Sequence, residues 1–220
     1  MSYPPFNYPE AGGFRFGRRE LREIVISVLV LTLAFTILFS DGIQGVPGAL
    51  SDMSFVYLFI VSFLAVLTAF FFHEMAHKFL AQKYGCWAEF NYSFMGLIFA
   101  LVTSAAGFIF AAPGAVIIGG RITREQNGKI SAAGPATNIS MGAVFIVFYF
   151  LTNPLNISVF PGVFDLGEIF RLLALINIVL GGFNLIPFPP LDGSKIFRWN
   201  MGVYISLVLA TALALFVMLY

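Results

Sequence analysis

The chain of 220 residues is 59% hydrophobic and only 10% charged, whereas a globular domain carries about a quarter charged residues. That balance excludes a soluble domain with a water-facing shell and puts the core in a lipid bilayer. The formal net charge of +1 excludes no partner by itself, because the placement of charges along a membrane chain is what decides its topology.

Apolar runs fall at 24–40, 55–80, 94–118, 130–152, 168–188 and 199–220. Most reach the roughly 20 residues that cross hydrocarbon as a helix. The expected fold is therefore an all-α polytopic membrane protein, with about five to six transmembrane helices and a re-entrant or partly extended segment near residues 94–120. Residues 1–23, with Pro4, Pro5, Pro9, several aromatics and a basic cluster, read as a cytoplasmic or interfacial arm. Residues 24–220 then form a single transmembrane domain whose motifs fall within about 55–195. The first apolar run is longer than the roughly 7–15 residues of a signal-peptide core, and Leu38 and Ser40 do not make an A-x-A cleavage site, so this run reads as a retained span. The lone Cys86 has no partner for a disulfide within the chain.

With the N-terminus in the cytoplasm and the first two segments crossing in turn, Arg15, Arg18, Arg19, Arg22, Lys78 and Lys83 share the cytoplasmic side. Arg121, Arg124, Lys129, Lys195 and Arg198 join them, which leaves Arg171 as the exception among the 12 Lys and Arg residues. The outer loops 41–54 and 152–167 carry Asp41, Asp52 and Asp165 but no basic residue. This asymmetry predicts an integral, multi-pass cell-membrane protein with a cytoplasmic N-terminus. The parity holds only if 94–118 leaves the cytoplasmic side and returns to it, either as a re-entrant hairpin or as a helix followed by an extended A-P-G-A-V-I-I segment. Irregular backbone at membrane depth needs protein or a wet cavity to satisfy it, so this stretch is expected to line the site.

The strongest chemical signal is H-E-M-A-H at 73–77, which contains both histidines of the chain. On a helix His73 and His77 lie one turn apart on one face and can share a metal ion, while Glu74 is offset to reach a water activated by that metal. Lys83 lies ten residues beyond His73, which places the first histidine about 15 Å below the cytoplasmic interface. Zinc needs a third protein ligand. Asp192, in N-L-I-P-F-P-P-L-D-G at 184–193, reaches the same depth once Pro187, Pro189 and Pro190 have broken the helix; its competing role is to cap the next helix. In A-G-P-A-T-N at 133–138, Pro135 suits a first helical turn. Asn138 then faces inward, where its amide serves a substrate peptide, an oxyanion or the neighbouring backbone.

These three motifs, in this order on three apolar segments, resemble those of the site-2 protease family of intramembrane zinc metalloproteases. The resemblance covers roughly 55–195 and implies one Zn2+ per chain held by His73, His77 and Asp192, with Glu74 as general base and Asn138 assisting substrate or oxyanion binding. It also implies that the partners are the bilayer and a transmembrane protein whose helix is hydrolysed near the cytoplasmic side, often releasing a regulator. The stretch 94–118 is longer and more hydrophobic than a minimal family core, and the chain has no room for a PDZ-like insertion. No nucleic-acid partner is expected, and the sequence leaves the oligomeric state open. A proteolytically silent relative and a metal or proton transporter are the alternatives. The intact Glu74 and histidines argue against the first, and the near-absence of ionisable groups, Arg171 apart, along the outer halves of the segments argues against the second.

Overall fold

A computed structural model describes residues 14–51, 54–160 and 164–219. The proline-bearing part of the N-terminal arm, Asp52, and residues 161–163 of the expected outer loop lie outside the described residues. Among the described residues five helices are long and apolar enough to cross a membrane: Arg18–Phe39, Ser54–Lys83, Arg124–Leu155, Leu166–Asn184 and Met201–Leu219. The fold is all-α and polytopic, as the apolar runs predict.

The first span, α1 (Arg18–Phe39), starts in advance of its apolar run because Glu20 Oε2 accepts the Gly17 N–H at 3.0 Å and ties down the first turn. After a 3₁₀ turn (Gly42–Gln44) and the short α2 (Val46–Ser51), the second span comprises α3 (Ser54–Val66), a π-turn (Leu67–Phe71) and α4 (Phe72–Lys83). The third long helix, α6 (Arg124–Thr152), opens on a capping box. Thr123 Oγ1 accepts the Gln126 N–H at 3.1 Å, and Gln126 Oε1 accepts the Thr123 N–H at 2.9 Å. The box starts α6 two turns before the apolar run, so Pro135 sits inside the helix rather than in the first turn where the sequence reading put it. The remaining spans are α7 (Leu166–Asn184) and α9 (Met201–Leu219), with the short α8 (Asp192–Trp199) between them.

The stretch near 94–120 that was expected to be irregular is built from α5 (Phe94–Ala105) and β2 (Gly114–Gly119), and an unforeseen strand, β1 (Trp87–Tyr92), precedes it. At 12 residues, α5 is only about 18 Å long, too short to cross. The chain returns as the extended A-P-G-A-V-I-I segment, whose β2 part pairs antiparallel with β1 from Trp87↔Gly119 to Tyr92↔Gly114. A second small ladder, β3 (Ser158–Phe160) with β4 (Phe164–Asp165), lies between α6 and α7.

α6 packs closely against both α4 and α7, while a large buried apolar cluster joins α1 to α3, α4, α5 and β1 through residues such as Leu31, Val66, Met75, Phe90 and Leu97. Many large apolar side chains of α6 and α9 stay exposed, Phe150, Leu151, Leu209 and Leu213 among them. In a bilayer, lipid covers such faces. At the other end of the sheet, α1 covers the outer edge of β1: Glu20 Oε1 accepts the Phe90 N–H at 3.0 Å and Glu23 Oε2 the Tyr92 N–H at 3.1 Å. Lys78, counted with the cytoplasmic cations from sequence, is instead fully buried, its Nζ 2.6 and 2.8 Å from the two Glu20 oxygens and 2.7 Å from Ala88 O.

Candidate metal centre

His73 and His77 project from one face of α4 and are both buried. Their Nε2 atoms stand 3.0 Å apart. Asp192 stands in the first turn of α8, one position after the N-cap, which Leu191 occupies. Its Oδ2 lies 3.0 Å from His77 Nε2 and 3.4 Å from His73 Nε2. The proline-broken loop that delivers it folds tightly: a Cβ on Gly193 would meet the Leu185 carbonyl oxygen at 2.1 Å, so only glycine lets the end of α7 and the start of α8 approach this closely. Lys195 Nζ adds a weaker contact at 3.4 Å to Asp192 Oδ1.

The protons on the histidines can be placed by their partners. His77 Nδ1 lies 2.7 Å from the Ile130 carbonyl oxygen, which only accepts, so Nδ1 carries a proton, and in the neutral ring Nε2 presents a lone pair. His73 Nδ1 faces Asn138 Oδ1. Two imidazole lone pairs and a carboxylate oxygen thus converge with their ligating atoms all within 4.8 Å of one another. With both rings neutral these atoms have no proton to share, and a metal cation between them would relieve their repulsion. Atoms bound at about 2.0–2.1 Å to a tetrahedral ion stand about 3.3 Å apart, close to the separations seen here, and an N, N, O donor set suits zinc.

The backbone also keeps space open beside these atoms. A Cβ on Gly134 would sit 2.5 Å from both His73 Nε2 and His77 Nε2, in the region an ion or its fourth ligand needs. The Gly-Pro step of α6 therefore passes directly over the two histidines. Pro135 has no N–H, so the carbonyl four residues back goes without that helical bond at the crossing.

Glu74 is half-buried beside the cluster, and its Oε2 accepts the Val116 N–H of β2 at 3.0 Å. The extended segment therefore borders the site. Asn138 is fully buried and does not open onto a cavity: its Oδ1 faces His73, while Nδ2 donates to Ala69 O at 2.8 Å and to Asn177 Oδ1 at 3.2 Å. Asn177 escaped the sequence reading, although an amide in the middle of an apolar span is a visible signal.

Comparison with known proteins places the chain among metalloproteases. The family model described as Peptidase family M50 matches residues 162–210. A protein of Methanocaldococcus jannaschii provisionally named zinc metalloprotease MJ0611 is 36% identical over 189 residues, covering 85% of this chain and 87% of its own length. Zinc metalloprotease MJ0392 of the same organism is 29% identical over 162 residues, 74% of this chain and 39% of that protein. The Mycobacterium tuberculosis protein provisionally named zinc metalloprotease Rip3 is 28% identical over 176 residues, 78% of this chain and again 39% of the relative. No solved structure matches.

Proposed function

The chain belongs to peptidase family M50, the site-2 protease family of membrane zinc metalloproteases, and from that premise we propose that it hydrolyses peptide bonds of transmembrane substrate helices near the cytoplasmic side, using His73, His77 and Asp192 as zinc ligands and Glu74 as general base. The observation that carries this reading is the convergence of two imidazole lone pairs and one carboxylate oxygen at 3.0–3.4 Å, beside the carboxylate of Glu74. One zinc per chain fits this donor set. Residues 24–220 act as one catalytic domain.

When bound, zinc supplies a Lewis acid that polarises the scissile carbonyl and makes water acidic enough to lose a proton near neutral pH. The protein's residues do the rest. Glu74 is anchored through Oε2 to Val116, which leaves Oε1 to take the proton of the attacking water and pass it to the departing amine. His73, His77 and Asp192 fix the geometry around the metal.

A peptide bond within a helix is shielded, and its carbonyl is already hydrogen-bonded, so the substrate has to unwind locally before it reacts. The edge of β2 turned away from β1 carries the Val116 N–H that Glu74 accepts. An extended peptide paired along that edge would pass beside the Glu74 carboxylate. The proline-rich segment 184–190 offers a second partner for an extended strand. The excess of basic residues at 15–22, 121–129 and 195–198 supports a cytoplasmic N-terminus and cytoplasmic access of water to the site.

The test is purified protein in detergent or liposomes with a helix-destabilised membrane substrate. Glu74→Gln should keep zinc and fold while turnover falls by about 10²–10⁴-fold. Wild-type turnover in that variant would overturn the mechanism.

A further inference from the structure

A chain of buried side-chain amides runs from the far side of the helix core to His73. Thr68 Oγ1 donates to Leu64 O at 2.8 Å, which leaves its lone pairs to accept from Asn177 Nδ2 at 3.0 Å. Asn177 Nδ2 also donates to Leu173 O at 2.9 Å. With Nδ2 so placed, Asn177 Oδ1 is turned towards Asn138 and accepts from Asn138 Nδ2 at 3.2 Å, and the same Nδ2 donates to Ala69 O at 2.8 Å. Backbone carbonyls only accept. The Leu64, Leu173 and Ala69 carbonyls therefore fix the direction of every bond in the chain, and Asn138 is left with one orientation, its Oδ1 towards His73 Nδ1. Only a protonated Nδ1 can satisfy that oxygen, which in the neutral ring leaves the lone pair of His73 on Nε2.

The backbone of the second span is adapted to this network. Between α3 and α4 the Phe72 N–H reaches back five residues to Leu67 O in a π-turn, which contains both Thr68 and Ala69. The wider turn sits one helical turn before His73 and presents the Ala69 carbonyl to α6. Asn138 and Asn177 are both fully buried, on α6 and α7. Close helix approach holds them together, since a Cβ on Gly181 would stand 3.0 Å from Asn138 Cβ. An apolar contact would pack these helices as well, so the polar chain calls for another reason.

We propose that Asn138 is a positioning residue, locked by Asn177 and by the π-turn, which holds His73 in the tautomer and ring orientation that bind the metal. The proposal rests on the reading of His73 as a zinc ligand. It gives Asn138 a role different from contact with substrate or oxyanion, and it makes Asn177 part of the same device. A hydrogen bond to the distal nitrogen of a metal-bound histidine typically contributes 10–100-fold in metal affinity.

The experiment is zinc affinity by chelator competition on the purified full chain, with melting temperature measured in parallel. Asn138→Leu should weaken zinc by about 10–100-fold and Asn177→Leu by about tenfold. Asn138→Asp still offers an oxygen to His73 Nδ1 but loses both donors, so it should hold zinc far better than Asn138→Leu while melting no higher. Affinity that follows melting temperature instead, equal in the Asp and Leu variants, would overturn the proposal. His77→Ala serves as the control. If it loses zinc while Asn138→Leu and Asn177→Leu bind like wild type, the positioning role fails and the ligand reading stands. If His77→Ala binds like wild type, the ligand reading fails and takes the proposal with it.

Discussion

Two buried polar clusters lie side by side on α4, and they differ in whether they are complete. Lys78 has three N–H donors, and two Glu20 oxygens and the Ala88 carbonyl meet them at 2.6–2.8 Å. The charges cancel, and Glu20 has a spare lone pair that takes the Phe90 N–H. One residue earlier, His77 joins His73 and Asp192 in a cluster whose facing atoms, with both rings neutral, are all acceptors. Burial is similar in the two places, so burial does not mark the site. The count of donors against acceptors does: the ion pair is finished by the protein, while the triad needs a cation from outside.

Breaking the triad should have the largest effect. His77→Ala is expected to lose zinc and all measurable cleavage with little change in melting temperature, as read by metal analysis and a proteolysis assay. Gly134→Ala should come next. Its Cβ would fall 2.5 Å from both Nε2 atoms, so zinc affinity should drop sharply although no ligand has been touched. Normal zinc binding in this variant would show that α6 can back away from the histidines.

The finished cluster should respond the other way. Lys78→Met strands a buried carboxylate and should cost about 3–5 kcal/mol of stability, while the folded fraction keeps its zinc. Denaturation monitored alongside metal content checks both halves of that statement. The smallest effect is expected from the double variant Glu20→Met with Lys78→Met, since an apolar pair of similar volume often replaces a buried ion pair at little cost. It should recover most of the single variant's loss, short of the share due to the stranded Phe90 N–H.

The same contrast explains what could be read in advance. The spans were legible because each apolar run is long and uninterrupted, and the metal cluster was legible because His73 and His77 sit at helical spacing in a chain with no other histidine. The partner of Lys78 was not. Glu20 is 58 positions away, and nothing in a local pattern tells a paired lysine from a solvated one. β1 was missed for a similar reason: W-A-E-F-N-Y at 87–92 falls between two apolar runs, and it becomes a strand because β2 returns to pair with it and carboxylates of α1 cover its edge. Pro135 was assigned to a first turn because the apolar run begins nearby, whereas the Thr123–Gln126 capping box sets the start of α6 in polar sequence. The environment of Asn138 depends on three helices meeting, and its spacing in G-P-A-T-N could not reveal that its amide is already engaged.

The central claim is that the triad binds one zinc ion through three protein ligands, His73, His77 and Asp192, with the fourth position left to water. Zinc stoichiometry of the purified chain, measured for wild type and Asp192→Ala, tests it most directly. The account predicts one zinc per chain in wild type and a large loss of metal in the variant at unchanged fold. Full occupancy in Asp192→Ala would contradict it.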